Sequence, residues 1–74
     1  MEPLSDMIDS YFYTVTAGNI YANIIGVIDR LVVTKALERS FGNQVAAARM
    51  LGLHRNTLKN KIKKLNIDVG RFKK

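Results

Sequence analysis

Apolar residues recur at helical spacing from the start of the chain. They fall at intervals of three and four residues, the spacing of one helix face. The residues at this spacing are Leu4, Met7, Ile8 and Tyr11 or Phe12. Pro3 suits the first turn of a helix, where its missing N–H would have no partner anyway. The pattern predicts a helix from about Leu4 to Val15, although the aromatic and β-branched residues of 11–16 would also fit a strand.

A longer helix is predicted from about Ile20 to Ser40. It follows a break at residues 17–19, in which Gly18 suits a left-handed C-cap and Asn19 an N-cap. Its polar residues fall mainly within one stripe about 120° wide, and apolar residues occupy most of the remaining surface. One neighbouring layer cannot bury so wide an apolar face. The face indicates either a second subunit or, alternatively, the central helix of a larger protein of which this chain is a fragment.

The chain is too short to rely on a large core. Its 74 residues form at most one domain, and they include no cysteine, which excludes disulfides and thiolate metal sites. The single histidine, His54, is better explained as a surface residue at a helix start than as a metal ligand. We therefore expect no metal, no other cofactor, and stabilisation by association into a homodimer. The residues expected at the dimer interface are Ile24, Ile28, Leu31 and Val32.

Residues 43–65 have the pattern of a helix-turn-helix. Two helices that cross through a three- or four-residue turn need a glycine at the turn, and small side chains at their crossing let them approach closely. Gly42 closes the long helix, and Asn43 caps an alanine-rich helix over Gln44–Leu51. The turn follows with the glycine Gly52 and the apolar Leu53. The last helix begins at His54 or Arg55, and its buried stripe consists of Leu58, Ile62 and Leu65. The tail 66–74 lacks periodicity and is predicted to be a short, basic, mobile extension. The chain is thus predicted to be one all-α domain over residues 1–74.

The positive charge is concentrated in the second half. The net charge is +6, but residues 1–42 carry −2 and residues 43–74 carry +8. So basic a half is typical of a surface that binds a polyanion, and nucleic acid is the first candidate. An anionic membrane and a merely solvated lysine face are the alternatives. The membrane alternative is disfavoured because the apolar stripe of the last helix is narrow and lacks aromatic anchors.

The polar face of the last helix suits the major groove of DNA, which is wide enough to admit a helix. Arginine, lysine and asparagine side chains can bond to base edges there, while threonine and further lysines can hold phosphates. The candidates for base contacts are Arg55, Asn56, Lys59 and Asn60. The candidates for phosphate contacts are Thr57, Lys63 and Lys64.

The run GNQVAAARMLGLHRNTLKNKIKKL, residues 42–65, closely resembles the Fis family. That family includes the nucleoid protein Fis and the C-terminal domains of NtrC-type, sigma-54-dependent activators. The resemblance extends more weakly over 28–42 and covers about two-thirds of the chain. It implies a four-helix protomer in which two dimerisation helices, about 4–41, form an intertwined homodimer and precede the helix-turn-helix.

The resemblance also assigns roles to individual residues. It implies base contacts for Arg55 and Lys59, and phosphate contacts for Asn43, Gln44, Thr57 and Lys61. His54 stands where the family often has asparagine or glycine. Lys59 and Asn60 fall in a variable part of the recognition helix, which leaves the base preference open.

We expect a DNA-binding domain and not an enzyme, because the chain offers no nucleophile–base pair, no carboxylate pair with a plausible pocket and no phosphate-cradling glycine loop. The favoured function is sequence-specific binding of double-stranded DNA by an NtrC-type activator, linked to upstream ATPase and receiver domains. The chain starts almost at its first helix, which favours this over a free-standing, DNA-bending nucleoid protein. A dimerisation module with a solvated basic face is a further alternative. With no export signal visible, the expected location is the cytoplasm, at the bacterial nucleoid.

Overall fold

A computed structural model describes residues 3–73, and its regular elements in this range are all helices, with no strand. The helices are α1 (Pro3–Thr14), α2 (Ile20–Arg39), α3 (Gln44–Leu51) and α4 (Arg55–Lys64), followed by a short 3-10 helix (Val69–Phe72). The all-α prediction with four helices is confirmed, and each helix boundary lies within one or two residues of its predicted position. No helix of residues 3–73 is long and apolar enough to cross a membrane.

The core lies where the second half of α2 meets α3 and α4. Its members are Val33, Ala36, Leu37, Ala47, Ala48, Leu58 and Ile62. Three of the seven are alanines, which bring the helix backbones close together, and Leu37 and Leu58 fill the space between them with no exposed surface. Ala47, Ala48, Leu58 and Ile62 are thus buried as predicted, whereas Ala46 of the alanine run and Leu65 of the stripe are only half-buried.

The first half of the chain has no core of its own. No residue of α1 is buried, and α2 buries side chains only from Val33 onward. Asn19 precedes α2 as predicted, but its side chain makes no capping hydrogen bond. Tyr13 and Tyr21 are 90% and 78% exposed. The protomer therefore leaves the apolar surface of the α1–α2 hairpin largely in contact with water.

The chain leaves α2, α3 and α4 by the same hydrogen-bonding pattern, in which a left-handed residue follows the helix. At α3 this residue is Gly52, with φ 70°, as predicted. At α4 it is Asn66, with φ 56°. At α2 it is Phe41, with φ 54°, and Gly42 comes one position later, where its amide donates to the Leu37 carbonyl at 2.8 Å. The prediction that Gly42 itself closes α2 was therefore one residue late.

The C-terminal segment differs from its prediction as a mobile extension. Asp68 accepts a hydrogen bond from the Gly70 amide and starts the 3-10 helix, and Ile67, Val69 and Phe72 pack against the core. Sequence periodicity missed this because three apolar side chains spaced two and three residues apart match neither a helix nor a strand over so short a stretch.

The segment also approaches Gly42 closely. A Cβ placed on Gly42 would lie 3.2 Å from the Val69 carbonyl oxygen and 3.3 Å from the Lys73 amide nitrogen. A side chain here would have to displace the backbone of the C-terminal segment slightly, so Gly42 favours this packing as well as its own left-handed conformation.

Alanine at Gly42 and at Gly52 provides a matched test of this packing. Both residues have positive φ, so each substitution should cost about 1–2 kcal/mol of backbone strain. A Cβ on Gly52 meets nothing within 4 Å, whereas a Cβ on Gly42 meets the C-terminal segment. We expect Gly42→Ala to lower the free energy of unfolding more than Gly52→Ala does, as measured by urea denaturation. Equal decreases would contradict the packing of residues 66–73 against Gly42.

Candidate nucleic-acid interface

The helix-turn-helix is held at both of its helix starts by side-chain caps. The Asn43 side chain accepts a hydrogen bond from the Ala46 amide at 3.1 Å, and His54 Nδ1 accepts one from the Asn56 amide at 3.1 Å. The predicted cap at Asn43 and the predicted surface position of His54 at a helix start are both confirmed. The imidazole is therefore used locally, and its hydrogen bond requires an unprotonated Nδ1.

The buried stripe of α4 determines which of its residues face outward. Leu58 and Ile62 lie in the core and Leu65 is half-buried beside them. Side chains on the rest of the helix are exposed, with Lys61 half-buried as the exception. They are Arg55, Asn56, Thr57, Lys59, Asn60, Lys63 and Lys64.

One side of α4 forms a continuous polar surface with the start of α3. Gln44 lines one groove with Arg55, Asn56 and Lys59, and a second groove with Lys59, Asn60 and Lys63. Gln44 also lines a third groove with Asn43. We call this set the α3–α4 surface; its members are Asn43, Gln44, Arg55, Asn56, Lys59, Asn60 and Lys63. It contains all four predicted base contacts and three of the six predicted phosphate contacts.

The other three predicted phosphate contacts lie on the opposite side of α4. Thr57, Lys61 and Lys64 line a groove that faces α2. The α2 residues of this groove include Tyr21, Ile25 and Asp29, and Asn60 borders both sides of the helix. The structure therefore divides the predicted contacts into two groups separated by the outer edge of α4.

Lys61 is held by a partner within the protomer. Its Nζ lies 2.9 Å from Asp29 Oδ2 on α2, and the two side chains are 33% and 30% exposed. The residue pattern of α4 alone does not reveal this pairing, because the partner lies on another helix. Asp29 interrupts an apolar run, and that interruption was the available signal.

A second bond ties α2 to the end of α4. Arg30 Nη2 donates to the Leu65 carbonyl oxygen at 2.6 Å. This carbonyl follows the last residue of α4, where backbone oxygens lack helical partners. With the Lys61–Asp29 pair, it fixes the C-terminal half of α4 against α2 at two points.

The cations of the α3–α4 surface have no such partners. Within residues 3–73, Lys61–Asp29 is the one ion pair closer than 4 Å, so Arg55, Lys59 and Lys63 form no ion pair with a described carboxylate. Asp68 borders the groove of Lys59 and Lys63, but its Oδ1 accepts from the Gly70 amide. The surface is thus rich in hydrogen-bonding groups and positively charged, which suits an anionic backbone with polar base edges.

The predicted dimer residues lie on α2 and are only partly covered by the protomer. Ile24 and Ile28 are half-buried, and Leu31 and Val32 are 50% and 44% exposed.

Residues 3–73 contain no group of three or more histidine, cysteine, aspartate or glutamate side chains that could bind a metal ion.

Comparison with known proteins gives one family. The model for bacterial regulatory proteins of the Fis family matches residues 25–65, more than half of the chain. This match agrees with the resemblance inferred from residues 42–65.

The chain is also similar to curated proteins described as DNA-binding transcriptional regulators NtrC. It is 38% identical over 55 residues to that of Azospirillum brasilense, 46% over 52 residues to that of Bradyrhizobium sp. (strain RP501 Parasponia), and 38% over 52 residues to that of Rhizobium meliloti (strain 1021). The alignments cover 70–74% of the chain but only 11% of each relative. No solved structure matches the chain.

The Lys61–Asp29 pair can be measured by a double-mutant cycle. For Asp29→Asn and Lys61→Met we expect a coupling free energy of about 0.2–1 kcal/mol in urea denaturation, because the pair is partly exposed. The coupling should shrink as salt is added.

Glu38→Gln with Lys61→Met is the control cycle. Glu38 lies nine residues after Asp29 on the same helix, about 13 Å further along its axis. This cycle should show no coupling. A coupling of the same size in both cycles would mean that Asp29 acts only through the general charge of the protein.

Proposed function

The chain belongs to the Fis family of bacterial regulatory proteins, and we propose that it binds double-stranded DNA sequence-specifically as a homodimer, as the DNA-binding part of an NtrC-type transcriptional activator. A Fis-type helix-turn-helix domain is a DNA-binding unit and not an enzyme. Membership in the family supports DNA binding. We propose in addition that the chain forms a homodimer, that the residues named below contact DNA, and that the chain is part of an activator.

The observation that carries the proposal is the α3–α4 surface. Gln44 stands between the grooves that contain Arg55 and Asn56 on one side and Asn60 and Lys63 on the other. A helix inserted in the major groove needs polar groups on its outer face and cations at its flanks. This surface combines both, and its cations form no ion pair closer than 4 Å with the carboxylates that the structure describes.

The proposed roles follow the positions of the side chains. Arg55, Asn56, Lys59 and Asn60 would contact base edges. An arginine at the start of the recognition helix can present two parallel donors to guanine O6 and N7. Asn43, Gln44 and Lys63 would contact phosphates on the α3 side, and Thr57 and Lys64 on the α2 side.

Lys61 is also a predicted phosphate contact, but Asp29 competes with the phosphate for its ammonium group. Its ammonium group already donates to Asp29, and the carboxylate charge offsets part of its attraction to a phosphate. It should therefore contribute less to DNA affinity than Lys63, which forms no ion pair within residues 3–73. The basic half of the chain carries +8, but one of those charges is already compensated across α2 and α4.

The proposed homodimer rests on the uncovered apolar surface of α1 and α2. Leu4, Phe12, Ile25, Leu31 and Val32 are each more than 40% exposed. A second copy would bury Leu31 and Val32 together with the half-buried Ile24 and Ile28. Two recognition helices in one dimer would then meet two half-sites about one helical turn apart, roughly 34 Å.

The NtrC-type activator is favoured over a free-standing nucleoid protein by the curated relatives, which are regulators of that name. In such an activator, the domain would tether an ATPase domain to upstream DNA sites. The open reading frame upstream of residue 1 decides between the two. An ATPase-coding sequence continuous with this chain supports the activator, and an upstream stop codon rules it out.

Arg55 and Lys63 should separate sequence recognition from general affinity. The measurement is fluorescence anisotropy on a duplex recovered by selection from a random-sequence pool and on its scrambled counterpart, at several salt concentrations. Arg55→Ala should cost about 1–3 kcal/mol on the selected duplex and much less on the scrambled one. Lys63→Ala should weaken both about equally and lower the salt slope by about one unit.

Lys61→Ala is the matched control, because it removes the same charge from the same helix. Its effect on the salt slope should be smaller than that of Lys63→Ala. Equal decreases in affinity on both duplexes for Arg55→Ala would contradict its base contact and leave Lys59 and Asn60 as the remaining candidates.

The homodimer is tested without DNA. Sedimentation equilibrium at micromolar concentration should give twice the mass of one chain. Leu31→Asp should lower the thermal stability, as seen by circular dichroism, because it would place a charge in the proposed interface and association stabilises the folded state. Met50→Asp on α3 is the control, since Met50 is similarly exposed at 55%, and it should leave a folded dimer. A stable folded monomer of the unaltered chain would defeat the proposal.

A further inference from the structure

The segment that follows α4 is folded back onto the domain. The Ile67 amide donates to the Ile62 carbonyl at 3.1 Å, which turns the chain at the left-handed Asn66. Val69 and Phe72 then pack against the core. This segment lies beyond the family match, which ends at residue 65. The family match therefore carries no information about its path.

The turn brings Lys73 against the loop before α3. A Cβ placed on Gly42 would lie 2.7 Å from Lys73 Cγ, so the lysine stem rests on the glycine. Lys73 lines one groove with Phe41, Gly42, Asn43, Gln44 and Val45. Asn43 and Gln44 belong to the α3–α4 surface, so Lys73 extends that surface beyond the helix-turn-helix.

Lys73 also supplies a charge that this edge otherwise lacks. Residues 40–48 contain no lysine or arginine, and the cations of the α3–α4 surface all come from α4. Asn43 and Gln44 offer only neutral groups to a phosphate. A lysine ammonium beside them adds the point charge that strengthens a phosphate contact.

Within residues 66–73 the second cation, Arg71, is placed differently. Arg71 lies over the ring of Phe72, its guanidinium carbon 5.4 Å from the ring centre. It does not line the groove that Lys73 shares with Asn43 and Gln44. The two side chains carry the same charge two residues apart, and only Lys73 borders the α3–α4 surface.

From this arrangement we infer that Lys73 binds a DNA backbone phosphate beside Asn43 and Gln44, so that the folded C-terminal segment is part of the DNA-binding surface. The inference rests on the proposed function, because it assigns one more contact to the same interface. Since Lys73 lies on the flank of the helix-turn-helix, its contact strengthens binding without reading sequence.

The test uses Lys73→Met, which keeps the methylene stem on Gly42 and removes the charge. Binding of the full chain to the selected and the scrambled duplex is followed by anisotropy between about 50 and 200 mM salt. The slope of log affinity against log salt concentration should become shallower by about 0.9 for each protomer bound. Each phosphate contact removed should therefore make the loss of affinity between these two salt concentrations about 3.5-fold smaller. The decrease in affinity should be equal on both duplexes.

Arg71→Met is the matched control and should leave the slope unchanged. Thermal melting of both variants, followed by circular dichroism, should match the unaltered chain. An unchanged slope for Lys73→Met, or equal changes for the two variants, overturns the inference while leaving the proposed function intact. If the unaltered chain shows no salt-dependent binding to either duplex, the proposed function itself fails, and the inference with it.

Discussion

The close approach of α3 to α2 is the contact on which the other features of this protomer depend. Ala36 on α2 and Ala47 and Ala48 on α3 are almost fully buried. A larger side chain at any of these positions would separate the helices, since protein interiors leave few voids and tolerate overpacking poorly. With α3 in place, Leu58 and Ile62 can reach the same core from α4. The packing of small residues thus sets the position of α4.

Polar contacts then determine which parts of α4 are free. Asp29 and Arg30, adjacent on α2, hold the Lys61 ammonium and the Leu65 carbonyl, so the α2-facing side of the helix is partly engaged. The side that faces α3 carries Arg55, Lys59 and Lys63, which form no ion pair with a carboxylate of residues 3–73. One basic helix therefore has one side engaged by α2 and another side whose cations are available for the proposed DNA contacts. Counting its charges alone would give all of them the same role.

The two halves of the chain differ in how they are stabilised. Residues 33–73 share one core, whereas α1 and the first half of α2 expose large apolar side chains such as Phe12 and Tyr21. In the proposed dimer the second copy would cover this surface, which links folding to association. The first half would then set the spacing between the two recognition helices, and the second half would contact DNA.

The sequence by itself determined the four helices, the helix-turn-helix and the basic second half. Periodicity, the alanine run, Gly52 and the Asn43 cap are local signals, and each acts within a few residues of its own position. It also pointed to the outward residues of α4, since the stripe of Leu58, Ile62 and Leu65 leaves the other faces exposed.

The tertiary structure alone decided three features that join distant parts of the chain. It paired Lys61 with Asp29, 32 residues away, and it tied Arg30 to the Leu65 carbonyl. It also folded residues 66–73 onto Gly42, where the sequence predicted a mobile tail. These contacts depend on the angle at which α2 crosses α4 and on the space left beside the core. No local pattern encodes either quantity, because both result from packing all the helices together.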